Sequence, residues 1–188
     1  LMALVWVVGG AWLLRGGAVS WSRLPRGLRM GLGFLLLFAA WLALAQARHI
    51  GVNFVLSIMA LVWVADISAY FAGRTWGGRV VAGKLAPSIS PGKTWEGLVG
   101  GVAVTTAVAV LASVFLLGAP WWVGVPLGVL VSLAATTGDL VESLLKRDAG
   151  IKDMSNFLPG HGGVMDRLDS MLVAVPVGWL VLHLALGG

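Results

Sequence analysis

Cysteine is absent from all 188 residues. That excludes a disulfide scaffold, a cysteine nucleophile and any thiolate-bound zinc or iron–sulfur site, and it says nothing about compartment. Charge is scarce as well: Asp, Glu, Lys and Arg make up 11% of the chain, against about 25% in an ordinary soluble domain. Also missing are a low-complexity linker, an internal repeat and any segment that reads as a soluble domain. Apolar residues reach 59%. Too few charges remain to coat a core in water, so the chain reads as a single polytopic, all-α transmembrane domain over residues 1–188.

Six stretches lack ionisable groups or nearly so: Leu1 to Leu14, Leu28 to Ala47, Val52 to Phe71, Leu98 to Leu117, Trp121 to Leu140 and Met171 to Leu186. A hydrocarbon core about 30 Å thick needs about 20 helical residues, so the first stretch would cover only about 21 Å. It reads as a shortened span, and the start at Leu1 fits the C-terminal portion of a longer protein that lacks N-terminal spans. Arg15 follows the first apolar run rather than preceding it, which argues against a signal peptide.

A formal charge of +5 would suit a nucleic-acid binder, but the cations are distributed as a membrane protein distributes them. Arg15, Arg23, Arg26 and Arg29 lie between stretches one and two; Arg74, Arg79, Lys84 and Lys93 between three and four; Lys146, Arg147, Lys152 and Arg167 between five and six. The remaining connections carry only Arg48. The positive-inside rule therefore puts the three basic connections in the cytoplasm and leaves no role for nucleic acid. All eight acids, Asp66, Glu96, Asp139, Glu142, Asp148, Asp153, Asp166 and Asp169, lie in those connections or just inside the membrane from them. Acids contribute little to orientation, so their gathering on one side is a functional signal.

Asp139, Glu142, Ser143, Lys146 and Arg147 share one helical face. The plain alternative is a solvated helix end with an internal Glu142–Lys146 pair, worth a few tenths of a kcal/mol. Residues 152–163 form a glycine-broken polar stretch that leads into Asp166, Arg167 and Asp169, the two aspartates again on one face. Carboxylates are the oxygen ligands that magnesium prefers, and it commonly bridges protein acids to phosphates. Asp139 and Asp166 thus make a candidate metal pair, with Lys146, Arg147, Lys152 and Arg167 as candidate phosphate partners. The plain reading of Asp166 and Asp169 is favourable placement at a helix N-terminus.

A third group holds Asp66, Tyr70 and Arg74 at four-residue spacing, where an Asp66–Arg74 pair would be the structural alternative. Farther on, Ser90-Pro91 reads as an N-cap and first helical position, aiming free N–H groups at an anion. Gly92-Lys93-Thr94 suggests a phosphate loop, but Pro87 replaces its first glycine and no strand is evident before it, so that motif is rejected. His161 sits among glycines, where phosphate contact and simple solvation are equally compatible with the pattern. Trp21, Trp76, Trp121 and Trp122 read as interfacial residues.

The run from Ser143 to Asp169, S-L-L-K-R-D-A-G-I-K-D-M-S-N-F-L-P-G-H-G-G-V-M-D-R-L-D, resembles the signature of the phosphatidate cytidylyltransferases, and Ser90 to Gly97, S-P-G-K-T-W-E-G, resembles a second segment of that family. The resemblance implies an integral enzyme of the bacterial inner membrane, usually a homodimer among membrane lipids, whose site faces the cytoplasm. It implies CTP and phosphatidic acid as substrates, and magnesium as cofactor with potassium as a second cation. By motif position Asp139 and Asp166 would bind metal. Ser143, Lys146, Arg147, Lys152, Asp153, His161, Arg167 and Asp169 would line the substrate site, and Ser90, Lys93 and Thr94 would contact phosphate or nucleotide. Asp66 and Glu142 are further candidates. Rival readings are a related lipid cytidylyltransferase, a CTP-dependent polyprenol kinase, and an ion-coupled transporter; the last would place its polar groups near the bilayer midplane.

Overall fold

The computed structural model describes residues 8–9, 12, 21–116, 118–151 and 165–186, with backbone alone at 36, 165–168 and 186. Five helices dominate: α1 (Arg26–Ile50), α2 (Val52–Trp76), α3 (Trp95–Phe115), α4 (Trp121–Ala149) and α5 (Met165–Leu186). Between α2 and α3 a short antiparallel hairpin pairs β1 (Lys84–Ala86) with β2 (Ser90–Thr94). The first four helices are long and apolar enough to cross a membrane, while α5 carries a shorter apolar run, Asp169–Ala185. This is an all-α, membrane-type fold. The expected count of six spans is not established, because the stretch Leu1 to Leu14 falls largely outside the described residues.

Small residues let neighbouring backbones approach closely, and these approaches fix the order of the bundle. A Cβ on Gly128 would lie 2.4 Å from the Cα of Thr106, and one on Gly124 would lie 2.4 Å from the Cα of Val110. Those two glycines, four residues apart, form the small-xxx-small stripe of α4 that meets α3 antiparallel. Likewise, a Cβ on Gly100 would lie 2.3 Å from that of Ala72, joining α3 to α2, and one on Gly138 would lie 2.5 Å from the carbonyl oxygen of Asp169, joining α4 to α5. Gly178 packs on Ile58, which brings α5 back to α2. The partners run in opposite directions throughout, so the C-terminal ends of α2 and α4 and the N-terminal ends of α3 and α5 meet at one end of the bundle. An ion pair of 2.9 Å between Arg29 and Asp148 puts the start of α1 there as well.

Side chains on the outside remain apolar. Phe34, Phe38 and Trp41 on α1 and Trp63, Ile67 and Phe71 on α2 are exposed, as lipid-facing residues are. Trp21 departs from the interfacial expectation: it is buried and belongs to the core. At 29 residues α4 is about 43 Å long, more than the roughly 30 Å hydrocarbon core. Its last turns can therefore lift Asp139 to Arg147 toward the membrane border before Gly150, at φ 68°, ends the helix in the left-handed conformation.

Candidate active site

The helix ends enclose a cavity of about 650 Å³. One wall is a face of α2, with Asp66, Tyr70, Gly73 and Arg74; a second is β2 and the start of α3, with Lys93, Thr94 and Gly97; the third is α4 and α5, with Asp139, Glu142, Lys146, Asp169 and Ser170. Helical periodicity explains the first and third walls, since residues three, four, seven and eight apart share a face. The second wall arises differently. Thr94 is the N-cap of α3, its hydroxyl oxygen accepting from the Gly97 N–H at 3.1 Å. Ser90 and Pro91, expected to begin that helix, instead lie in β2, so the N–H groups of the first turn start four residues later. A strand does precede Gly92-Lys93-Thr94, contrary to expectation, but the triplet itself is extended and builds no phosphate-wrapping loop.

Two lysines in this space are matched to carboxylates. The Lys93 ammonium meets Asp139 Oδ2 at 2.5 Å, and the Lys146 ammonium meets Glu142 Oε2 at 3.0 Å, the intrahelical pair that the spacing allowed. The Ser143 hydroxyl donates to Asp139 Oδ1 at 3.3 Å and so helps to orient that carboxylate. Arg74 donates to the Tyr70 hydroxyl oxygen at 2.8 Å rather than pairing with Asp66, which faces the cavity. Arg147 points away from the cavity lining and donates through Nε to the Ile89 carbonyl at 3.4 Å, bracing the hairpin turn.

Asp139, Glu142 and Asp169 each offer one carboxylate oxygen within 4.8 Å of the others. Glu142 is 5% exposed, and its Oε1 is buried with no hydrogen-bond partner among the described residues. Among the described residues, Asp66, Asp139, Glu142 and Asp169 line the cavity together with Arg74, Lys93 and Lys146, and a cation would relieve the crowding of those carboxylates. A cluster of hard oxygen donors with an unsatisfied buried carboxylate oxygen fits a divalent cation such as magnesium.

The model of the cytidylyltransferase family matches residues 1–185. The chain belongs to this family. It is 44% identical over 164 residues to the phosphatidate cytidylyltransferase of Pseudomonas aeruginosa, covering 79% of this chain and 55% of that protein. Against the phosphatidate cytidylyltransferase of Mycobacterium leprae it is 43% identical over 148 residues, 79% of this chain and 46% of that protein. The Haemophilus influenzae protein of the same name is 44% identical over 131 residues, 67% of this chain and 44% of that protein. The chain thus spans about half the length of the curated relatives it matches.

Within this cytidylyltransferase domain, Asp139, Lys146, Lys93, Thr94, Asp169, Asp66 and Glu142 converge on the cavity, whereas Ser90, Ser143 and Arg147 support it from outside its lining. Asp166 and Arg167 lie in the first turn of α5, but their side chains, like Lys152, Asp153 and His161, lie outside the described residues. Sequence reasoning did not assign Tyr70, Arg74 and Ser170 to the site. For the first two the signal was available, because they follow Asp66 at four and eight residues on one helical face.

Proposed function

We propose that the protein to which this chain belongs joins CTP to phosphatidic acid, releasing pyrophosphate and forming CDP-diacylglycerol. The observation that carries this reading is the carboxylate cluster of Asp139, Glu142 and Asp169, set against the lysines of β2 and α4 at one end of a membrane bundle. A transporter would need its polar groups at mid-bilayer, whereas here the carboxylate cluster and the lysines lie toward one end of the bundle, with Asp66 alone among the described cavity carboxylates nearer the middle of its helix. The names of the relatives agree with the choice of phosphatidate over polyprenol.

In this reading a phosphate oxygen of phosphatidic acid attacks the α-phosphorus of CTP, and pyrophosphate departs with the electron pair of the broken bond. A phosphate monoester has a second pKa of about 6, so the nucleophile is already anionic near neutral pH and no strong general base is required. Asp139, Glu142 and Asp169, with Asp166 from the same turn of α5, would hold magnesium, and potassium is a second cation that the site could take. Bound there, the metal supplies charge neutralisation for the nucleotide phosphates. Lys93 and Lys146, now matched to carboxylates, would turn their ammonium groups to the phosphates of CTP and stabilise the charge that develops on pyrophosphate. Ser143 keeps the Asp139 carboxylate aimed inward, and Arg147 holds the hairpin that carries Lys93. Lys152, Asp153, His161 and Arg167 would, by their motif positions, contribute to substrate binding. A cytoplasmic orientation and a homodimer complete the proposal.

The test is pyrophosphate release by the purified protein in detergent with CTP and phosphatidic acid, with and without magnesium. Magnesium-dependent release accompanied by CDP-diacylglycerol is expected. Asp139→Asn and Asp166→Asn should each lower turnover by at least a factor of about a hundred, the scale of losing a charge-stabilising group, while their elution and melting in detergent stay unchanged. Full turnover in either variant would remove that residue from the metal site.

A further inference from the structure

Resting on the reaction proposed above, we infer that Arg74, seated by Tyr70, binds the phosphate of the membrane-embedded lipid acceptor at the rim where the cavity meets the bilayer. Among the described residues three cations line the cavity. Lys93 and Lys146 face Asp139 and Glu142 within ion-pair distance, but Arg74 has no carboxylate partner among the described residues and donates one N–H, from Nη1, to a neutral phenol oxygen. The guanidinium is planar and suited to two-point contact with a phosphate. With Tyr70 accepting at one nitrogen, the remaining donors of the fork are left to an anion.

The position of this pair argues for a lipid rather than the nucleotide. Tyr70 lines the cavity and is still 57% exposed; Trp63, Ile67 and Phe71 precede or flank it as exposed apolar residues on the outward side of α2. Trp63 and Arg74 are 11 residues apart, about 16 Å of helix, and half of a hydrocarbon core about 30 Å thick is about 15 Å. A phospholipid whose acyl chains lie along this strip therefore brings its phosphate to Arg74. The carboxylate cluster and both lysines occupy the walls across the cavity, where the nucleotide phosphates would lie. A bland role exists for a cation in the last turn of α2, since any positive charge is favourable at a helix C-terminus. Lysine would serve that role as well as arginine does, and this separates the two.

Arg74→Ala, Arg74→Lys and Tyr70→Phe would be assayed by varying phosphatidic acid in mixed micelles at saturating CTP, then CTP at saturating lipid. Binding of dioctanoyl phosphatidic acid without CTP would be followed by calorimetry, with dioctanoyl phosphatidylcholine as control. Arg74→Ala is expected to raise KM for phosphatidic acid by about ten- to a hundredfold, the loss of a charge-assisted hydrogen bond, leave KM for CTP in place, and weaken dioctanoyl phosphatidic acid binding to the same degree. Arg74→Lys should recover only part of this, and Tyr70→Phe should show a smaller loss of the same kind. A rise in KM for CTP instead, full recovery by lysine, or unchanged lipid binding in Arg74→Ala overturns the assignment. If the unaltered protein binds phosphatidic acid through Arg74 yet forms no CDP-diacylglycerol, the proposed reaction fails and the lipid site stands; if it turns over and Arg74→Ala matches it with either substrate, the reverse holds.

Discussion

Glu96 has a single carboxylate oxygen, Oε1, that accepts from three backbone N–H groups: Gly78 at 3.1 Å, Val80 at 3.1 Å and Val81 at 2.9 Å. These amides belong to the turn after α2 and are not part of the β1–β2 ladder, so the side chain supplies the acceptor that sheet pairing would otherwise give. It also sits in the first turn of α3, where a negative charge suits the helix N-terminus. Glu96→Ala should leave the three amides exchanging with solvent deuterium far faster than in the parent while the α3 amides stay protected, and Glu96→Gln should fall between the two. Unchanged exchange at Gly78, Val80 and Val81 would mean that the turn is held by something else. No sequence pattern announces this role, because the partners are backbone groups 15 to 18 positions away. Asp139, Glu142 and Lys146 were legible for the opposite reason: their spacing alone puts them on one face of one helix. That Asp169 would join Asp139 and Glu142 depended on how α5 docks on α4, which spacing within either helix does not fix.

At the level of elements, the long apolar runs located α1 to α4, with the starts of α2 and α4 matched and their C-terminal ends reaching five and nine residues farther, because a helix that crosses a bilayer must satisfy its backbone internally and cannot interrupt its apolar surface freely. The hairpin was not legible. Ser90-Pro91 is a strong helix-start pair, and Pro91 and Gly92 are poor strand residues; pairing of Lys84 with Thr94 and Ala86 with Ser90 overrides both preferences and moves the cap to Thr94. The closest backbone approaches between α2, α3, α4 and α5 fall at glycines. Gly128→Ala would drive a methyl group into the backbone of Thr106, with nothing flexible to yield. Overpacking of this kind costs about 1–3 kcal/mol, so the variant should melt at lower temperature in detergent than the parent. An alanine replacing Gly31, which meets nothing within 4 Å, serves as the control that should not.

For the whole molecule, the antiparallel order collects every described acid and most of the described cations at one end, and leaves Leu116 and Trp121 at the other. These 188 residues contain no cysteine, so a single cysteine placed in them is the one thiol that this segment contributes to a labelling experiment. Arg79→Cys should react with a membrane-impermeant maleimide only after cells are opened, and Trp121→Cys should react in intact cells; the reverse pattern would invert the proposed cytoplasmic site. The Lys93–Asp139 contact also has a meaning in time. Synthesis runs from the N-terminus at about 5–20 residues per second, so Lys93 emerges roughly 2–9 seconds before its partner 46 positions later. By the end of that interval β2 and α3 have been made but the cluster of Asp139, Glu142 and Asp169 is not complete. A nascent chain arrested before α4 therefore carries an unmatched lysine at the membrane border, a local mark of incomplete assembly that disappears when the fourth helix arrives.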